Sequence, residues 1–283
     1  MIIVRTVKDM QRRADDWRKE GKTIALVPTM GYLHEGHISL MREGREKADV
    51  LVTSIFVNPT QFGPNEDLDR YPRDFEGDEK KCREVGVDAI YYPSVEEMYP
   101  KGYQTYVNVT ELSKGLCGDS RPGHFQGVAT VCTKLFNAVK PHFAIFGEKD
   151  YQQLQVIRRM VKDLDMELEI IGMPTVREPD GLAMSSRNKY LDKDERARAA
   201  YLFKSLKETR AVYEKGERNV AKLLEIVRDG LKRANPCEVD YIEIRDAQNL
   251  TPIEEKVDQP AVIAIAVKIG STRLIDNMVL GKQ

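Results

Sequence analysis

The chain contains little cysteine. Its 283 residues include only four cysteines, which lie far apart and form no Cys-x-x-Cys pair: Cys82, Cys117, Cys132 and Cys237. Disulfide-dependent secreted domains and cysteine-based zinc sites usually show closely spaced cysteines. A chain of this length can also bury a sizeable core without covalent or metal cross-links. The sequence therefore predicts reduced thiols in the core of a cytoplasmic protein.

Charge of one sign is not in excess, because 44 Lys and Arg residues balance 45 Asp and Glu residues, for a formal net charge of −1. Non-specific nucleic-acid binding requires a basic surface, so we expect no nucleic-acid partner. Long apolar runs are also missing, since none approaches the ~20 residues of a membrane span. The N-terminal segment MIIVRTVKDM is too short an apolar run for a signal peptide. These absences predict a cytoplasmic protein without a membrane partner.

Short apolar runs alternate with amphipathic helical segments in the first part of the chain. Such runs, apolar on both faces, are typical of a parallel sheet that helices cover on both sides. We therefore predict a doubly wound, Rossmann-like α/β domain with its ligand at the carboxyl ends of the strands. The strand candidates are residues 23–27, 50–57, 89–92, 142–146 and 168–172.

The second part of the chain has a different pattern. Residues 193–234 are highly charged with apolar residues at helical spacing, which predicts two surface-exposed helices separated near Gly216. We expect a domain of residues 1–175 and a smaller α+β domain of residues 176–283. Strand candidates in the smaller domain are residues 239–244, 261–267 and 272–276.

The segment PTMGYLHEGH follows the first predicted strand and precedes a helix. Gly31 and Gly36 permit a tight turn, and amides exposed at the start of the helix would attract a phosphate. His34 and His37 are three residues apart, so they would share a face of the first helical turn. Two imidazoles there could hydrogen-bond a polyphosphate and stabilise charge that develops on it.

Two other interpretations of the histidine pair remain open on the residue pattern. A metal pair lacks the HExxH spacing and an obvious third ligand nearby. Alternatively, both histidines are surface or helix-capping residues. The context of strand, glycine turn and helix favours phosphate binding.

Polar side chains also follow two further strands. Gln61 offers a donor and an acceptor that suit a small hydroxy acid, although Pro59 and Gly63 are typical of an ordinary turn. Lys149 and Gln153 are four residues apart and would share the first turns of a helix. Lys149 would supply positive charge to a phosphate and Gln153 would bind a substrate, unless the segment is only a solvated helix end.

Two other segments carry candidate site residues. Ser185, Ser186 and Arg187 lie where no secondary-structure period is evident, and two hydroxyls with a guanidinium suit a triphosphate. The same stretch could be a polar interdomain linker, and a hinge carrying phosphate ligands could close on ATP. Arg121 and His124, in the segment RPGHFQG, could line a pocket or belong to a plain surface loop.

The segment PTMGYLHEGH resembles the histidine signature of the nucleotidylyltransferase superfamily, and within it the pantoate–β-alanine ligase (pantothenate synthetase) family. The blocks FVNPTQFG, NEDLDRYPR, FGEKDYQQL and GLAMSSRN follow in the order typical of that family. The chain has no Walker GxxxxGK[ST] loop, which would present the γ-phosphate of ATP.

This resemblance implies a Rossmann-like domain that binds ATP and pantoate, followed by a lid domain. It implies condensation of (R)-pantoate with β-alanine through a pantoyl adenylate, with release of AMP and pyrophosphate, by a cytoplasmic homodimer in pantothenate and coenzyme A biosynthesis. Mg²⁺ would accompany the triphosphate, with no protein ligands assigned. His37, His34 and Lys149 are the implied catalytic residues, and Gln61 and Gln153 bind pantoate, with Gln61 bordering the β-alanine site. The implied ATP-binding residues are Met30, Gly31, Tyr32, Leu33, His34, Glu35, Gly36, His37, Gly147, Glu148, Lys149, Asp150, Val176, Met184, Ser185, Ser186 and Arg187.

Rival functions make different demands on the sequence. Another adenylylating enzyme of the superfamily would share the histidine block, but one with a phosphate acceptor would need cationic residues in place of Gln61 and Gln153. A tRNA-binding, synthetase-like module would need a basic face and an added RNA-binding domain, which the net charge of −1 argues against.

Overall fold

Short apolar strands alternate with helices in the first of the two units of the protein. A computed structural model describes residues 1–64 and 66–281 of the chain. Asn65, the first residue of the block NEDLDRYPR, lies outside the described residues. The unit comprises the described residues of Met1–Ser113, Arg121–Glu148 and Val156–Pro174. Its strands are β1 (Ile2–Val4), β2 (Ile24–Thr29), β3 (Val50–Ile55), β4 (Ala89–Tyr91), β5 (Phe143–Gly147) and β6 (Glu169–Met173).

Side chains at the helix starts account for several helix boundaries. The hydroxyl of Thr6 accepts a hydrogen bond from Asp9 N over 3.1 Å, so Thr6 is the N-cap of the first helix. Asp74 caps the third helix through Gly77 N. The described α-helices are α1 (Val7–Lys19), α2 (Glu35–Lys47), α3 (Phe75–Val85), α4 (Val95–Met98), α5 (Cys117–Ser120), α6 (His124–Val139), α7 (Tyr151–Asp163), α8 (Lys193–Glu214) and α9 (Val220–Leu231).

The six strands of the first unit form one parallel sheet in the order β1-β4-β3-β2-β5-β6, which confirms the predicted doubly wound fold. All six residues of β3 are buried, so the sheet is covered on both faces. The strand order reverses between β2 and β5, and ligands of open α/β sheets bind beside such a point, at the carboxyl ends of the strands. The edge strand β1 is an addition that the sequence pattern did not predict.

Helix α2 lies close to the sheet because it contains Gly44. A Cβ atom at this position would lie only 2.7 Å from Leu51 Cδ1 of β3. Ile38 and Met41 of α2 are buried in the same apolar cluster as Leu51 and Ile145. This packing fixes the start of α2 relative to the ends of β2 and β3.

The second unit comprises the described residues of Lys114–Ser120, Lys149–Gln155 and Thr175–Gln283. Helices α8 and α9 confirm the two predicted helices separated near Gly216, but each has a fully buried apolar stripe. The prediction that both helices are surface-exposed is therefore wrong for their apolar faces. These faces pack in one core with the antiparallel sheet of the same unit. The antiparallel sheet has the order β7-β8-β9, with β7 (Glu238–Asp246), β8 (Ala261–Ile269) and β9 (Thr272–Leu280).

The four cysteines are all free. Cys82, Cys117 and Cys132 are buried, as predicted, whereas Cys237 is only partly buried. Burial raises the pKa values of the Cys82 and Cys132 thiols to about 12, so neither is an activated nucleophile. Among the described residues, no helix combines the length and the apolar character needed to cross a membrane.

Candidate active site

The turn between β2 and α2 has unusual backbone angles. Gly31 and Tyr32 have positive φ angles of 83° and 52°. Gly31 N donates to Thr29 Oγ1 over 3.2 Å, and a Cβ at Gly31 would lie 3.0 Å from Asp78 Oδ2. The buried side chain of Leu33 packs into the apolar core. The turn is therefore anchored at its start and at its end.

The carboxylate of Asp78, on α3, binds the backbone of this turn. It is 1% exposed and accepts hydrogen bonds from Tyr32 N and Leu33 N, each over 2.7 Å. Lys81 Nζ donates to Leu33 O over 2.8 Å. Burial raises the pKa of Asp78 above its usual value, although the two amide donors favour the carboxylate. Helix α3 thus fixes the turn through two amides and one carbonyl.

The two histidines at the start of α2 bind the backbone through the same ring nitrogen. His34 is the N-cap residue, and its Nδ1 accepts from Gly36 N over 3.2 Å. His37 Nδ1 accepts from His34 N, also over 3.2 Å. The ring centroids lie 4.1 Å apart, as their spacing predicts. The alternative that both histidines are capping residues is therefore confirmed.

Capping also determines where the proton lies on each ring. Each Nδ1 accepts from an N–H group and so carries no proton, which places the proton of the neutral imidazole on Nε2. An Nε2–H group is a donor, as a phosphate oxygen requires. Phosphate binding by His34 and His37 stays a prediction, and it is compatible with capping because the two roles use different nitrogens.

The backbone amides at the start of α2 do not have the role that the sequence predicts. His34 N and Gly36 N donate to the imidazoles, and His37 N donates to His34 O over 2.8 Å. The expectation of amides exposed to a phosphate is therefore wrong for these three, because groups of the protein already accept their hydrogen bonds. The imidazole Nε2–H groups replace the amides as candidate phosphate ligands.

Gln61 ends the short 3-10 turn that follows β3. Its Oε1 accepts from Asn58 Nδ2 over 3.1 Å, and its Nε2 lies 3.3 Å from Met30 Sδ. Its backbone carbonyl accepts from His124 Nδ1 over 2.9 Å and from Arg121 Nη2 over 3.2 Å. The structure therefore brings together Gln61 and Met30, two predicted site residues from different loops. It also gives Arg121 and His124 a role in holding Gln61.

Arg121 is itself fixed by an ion pair with Glu66. Its Nε and Nη2 donate to Glu66 Oε1 and Oε2, each over 2.6 Å. Because His124 Nδ1 donates to a carbonyl, its Nε2 is the acceptor for Arg121 Nη1, 3.1 Å away. Burial opposes the charge on Glu66, but the hydrogen bonds and charge of Arg121 outweigh it and lower the pKa of Glu66. The segment RPGHFQG is therefore more than a plain surface loop.

The Glu66–Arg121 pair should make stability depend on pH. Because the folded-state pKa of Glu66 is lowered, the pair stabilises the protein fully above the ordinary value of 4.5 and progressively less below it. We expect Glu66→Gln to reduce the free energy of unfolding by up to about 1 kcal/mol at neutral pH. The difference from the native protein should shrink as the pH falls below the ordinary value. Denaturant unfolding of both proteins at neutral pH and at a pH below 4.5 checks this. An equal difference in the free energy of unfolding at the two pH values would contradict it.

In the second unit, Lys149 and Gln153 lie on either side of the start of α7. Lys149 is in a 3-10 turn, Glu148–Asp150, rather than in the helix as predicted. Its Nζ lies 3.6 Å from Asp150 Oδ1, and its carbonyl accepts from Asn277 Nδ2 over 2.9 Å. Gln153 is partly buried in the first turn of α7. The backbone of Lys149 is thus fixed to β9 while its ammonium group stays partly exposed.

The predicted nucleotide contacts of Val176 and Met184 lie on adjacent chain segments. Met184 N donates to Val176 O over 3.0 Å. Between them, Arg177 forms a bidentate ion pair with Asp276 of β9, over 2.7 and 3.0 Å. The side chain of Asp276 is 1% exposed. This pair anchors the Val176–Met184 turn to the sheet of the second unit.

The Ser-Ser-Arg segment has a defined local structure. Ser185 Oγ accepts from Arg187 N over 3.2 Å and caps a 3-10 helix, Ser186–Tyr190. Asn188 Nδ2 donates to Ala183 O over 3.0 Å. The sequence shows no period in this segment because a helix of this length is too short to leave a detectable one.

The metal-pair interpretation of the histidines finds no support in residues 1–64 and 66–281. Within those ranges, no group of three or more His, Cys, Asp or Glu side chains could hold a metal ion. The Nδ1 atoms of His34 and His37 also accept hydrogen bonds from backbone amides.

A cavity of about 420 Å³ between α2 and α3 reaches His34 and Glu35.

Comparison with known proteins shows which family the chain is similar to. A model of the Pantoate-beta-alanine ligase family matches residues 2–279. The pantothenate synthetase of Geobacter sulfurreducens is 57% identical over 283 residues, covering 100% of both chains. That of Thermotoga petrophila is 56% identical over 281 residues, covering 99% of this chain and 100% of its own.

Solved structures lead to the same family. Pantothenate synthetase from Thermus thermophilus superimposes with a TM-score of 0.93 at 45% identity, covering 98% of this chain and 99% of the other. Pantoate-beta-alanine ligase from Francisella tularensis gives 0.82 at 35% identity, covering 99% and 97%. These matches favour the predicted family over another adenylylating enzyme of the superfamily. The chain belongs to the pantoate–β-alanine ligase family and is therefore a ligase.

Proposed function

We propose that the protein condenses (R)-pantoate with β-alanine to give pantothenate, consuming ATP and releasing AMP and pyrophosphate. Family membership supports the overall reaction. The relative from Francisella tularensis was crystallised with β-γ ATP and β-alanine. Within this chain, the proposal is supported by one observation: Nδ1 of His34 and Nδ1 of His37 each accept from a backbone amide at the start of α2. We propose that the Nε2–H groups donate to the polyphosphate.

The reaction would proceed in two displacements. A carboxylate oxygen of pantoate attacks the α-phosphorus of ATP, the bond to the bridging oxygen breaks, and pyrophosphate leaves. The amine of β-alanine then attacks the acyl carbon of pantoyl adenylate, loses a proton, and displaces AMP. The protein contributes by positioning the reactants and by stabilising developing negative charge.

Residue roles follow from the family pattern and the local geometry. His37, with His34 and Lys149, would stabilise the charge on the phosphates, and Gln61 and Gln153 would hold pantoate. Met30 contacts the amide of Gln61, which supports a shared role for the two loops. The remaining proposed nucleotide contacts are Gly31–Gly36, Gly147, Glu148, Asp150, Val176 and Met184–Arg187.

Mg²⁺ would enter with the nucleotide. The chemistry of the described residues fits an ion that is held mainly by phosphate oxygens and water, since no cluster of three acidic or imidazole ligands occurs among them. Bound there, the ion would neutralise part of the triphosphate charge. We further propose a cytoplasmic homodimer in which residues 176–283 act as a lid over the ATP- and pantoate-binding domain of residues 1–175.

The adenylate route makes a specific prediction about isotopes. Pantoate labelled with ¹⁸O in its carboxylate should transfer one labelled oxygen to AMP when β-alanine completes the reaction. Without β-alanine, labelled pyrophosphate should exchange into ATP only when pantoate is present. Mass spectrometry of AMP and a pyrophosphate-exchange assay measure the two effects. ADP as a product, or label in inorganic phosphate, would show that the γ-phosphate is transferred instead.

A further inference from the structure

The carboxamide of Asn58 is buried, at 1% exposed, and its two ends have partners that cannot exchange roles. Its Oδ1 accepts from the backbone N–H of Thr60 over 3.3 Å. Its Nδ2 donates to the backbone carbonyl of Gly127 over 3.1 Å. An N–H group can only donate and a carbonyl can only accept, so the orientation of this carboxamide is determined.

The orientation of Asn58 determines that of Gln61. The second contact of Asn58 Nδ2, over 3.1 Å, is with the carboxamide of Gln61. Since Nδ2 is a donor, the facing atom of Gln61 must be its oxygen, Oε1. The NH₂ group of Gln61 then points the other way, where Nε2 lies 3.3 Å from Met30 Sδ. Gln61 thus presents donors, rather than an acceptor, on the side that faces Met30.

Tyr99 holds the oxygen end of Asn58. Its hydroxyl donates to Asn58 Oδ1 over 2.8 Å, the shortest of three contacts to this oxygen, the others being from Thr60 Oγ1 over 2.9 Å and from Thr60 N over 3.3 Å. Burial raises the pKa of Tyr99 to about 12, so the hydroxyl remains a donor at physiological pH. The ring packs edge-on against Tyr103, with centroids 5.0 Å apart. Close packing of α6 supports the same group, because a Cβ at Gly127 would lie 2.4 Å from Thr60 O.

We propose that Tyr99 is a positioning residue, which acts through Asn58 to keep the NH₂ group of Gln61 directed at an oxygen acceptor of the acid substrate. The proposal rests on the proposed function. It adds that Gln61 is the hydrogen-bond donor, and the substrate the acceptor, in their contact. A carboxylate or hydroxyl oxygen of a hydroxy acid accepts from this NH₂ group. A substrate that presented only donors to Gln61 would not be bound there.

The test compares Tyr99 with Tyr103, the tyrosine whose ring packs against it. We expect Tyr99→Phe to raise the KM for pantoate about 3–10-fold, the effect of one weakened hydrogen bond, with little change in kcat or in the KM for ATP. Tyr103→Phe is the matched control, because it keeps the ring packing and the hydroxyl of Tyr99, and it should leave all three constants unchanged. An unchanged pantoate KM in Tyr99→Phe would overturn the proposal.

A double-mutant cycle shows whether Tyr99 acts through Gln61. In a Gln61→Ala background, Tyr99→Phe should have no further effect on the pantoate KM. The same fold-change in both backgrounds would mean that Tyr99 acts otherwise and would overturn the proposal. Gln61→Glu keeps an acceptor for Asn58 but directs oxygen at the substrate, so it should raise the pantoate KM more than Gln61→Ala. Pantoate binding that is better in Gln61→Glu than in Gln61→Ala would overturn the assigned polarity.

A measurement without substrate separates this inference from the proposed function. Hydrogen exchange of the Asn58 side-chain amide, followed by NMR in protein labelled with ¹⁵N-asparagine, should accelerate in Tyr99→Phe and not in Tyr103→Phe. Equal exchange in the two variants would contradict the positioning role, even in an active enzyme. If native protein forms no AMP from ATP with pantoate and β-alanine, the proposed function fails, whatever this exchange shows.

Discussion

Replacing His37 with alanine should lower turnover about 10²–10³-fold, the loss expected when one donor to a developing charge is removed. In the proposed role that donor is Nε2–H of His37, because its Nδ1 accepts from His34 N. The same substitution also removes half of the helix cap, so a loss of activity alone would not identify its cause. Steady-state kinetics with saturating ATP, pantoate and β-alanine measure the effect on kcat.

His37→Gln is the control that separates the two roles of this residue. Glutamine at this position of a capping box can accept from the N-cap amide, as His37 does, but it has no imidazole Nε2–H. Both variants should therefore lose turnover, whereas only His37→Ala should lose about 1 kcal/mol of the free energy of unfolding. Turnover near that of the native enzyme in a folded His37→Ala variant would remove His37 from the catalytic group.

Periodicity in the sequence was sufficient to predict the sheet because strands β2 and β3 are buried on both faces and flanked by amphipathic helices. The edge strand β1 differs, since it has three residues and Ile2 and Ile3 are 38% and 37% exposed. A three-residue strand has too few positions for a period. It is defined by pairing with β4, which lies far along the chain, through Ile2 and Ala89.

In the candidate site, too, some residues could be proposed from the sequence and others could not. His34, His37 and Gln61 could be proposed from the sequence because strand ends and glycine turns mark where functional loops occur. Asp78 could not be proposed, because its hydrogen-bond donors are backbone amides more than forty residues earlier, and it stands in an ordinary charged helix. Tyr99 gave no signal either, since its contact with Asn58 depends on how two loops fold together.

Asp78→Ala should reduce both stability and turnover, because Asp78 binds the turn that carries the histidines. The variant leaves Tyr32 N and Leu33 N without their acceptor, and a buried unsatisfied donor costs about 1–3 kcal/mol. Removing a buried carboxylate offsets part of that cost, since burial disfavours its charge. We therefore expect the free energy of unfolding to fall by about 2 kcal/mol, measured by denaturant unfolding.

The effect of Asp78→Ala on turnover should exceed what stability alone would cause. Tyr32 has a φ of 52°, which is unfavourable for a residue with a side chain, so the turn should relax once its amides are released. A shift of about 1 Å in a group that stabilises charge can lower the rate about 10²-fold. Asp74→Ala is the matched control on the same helix, because its carboxylate caps α3 through Gly77 N and does not bind the turn. That variant should lose about 1 kcal/mol of stability with near-native kcat. Equal turnover in the two folded variants would mean that the turn keeps its shape without Asp78.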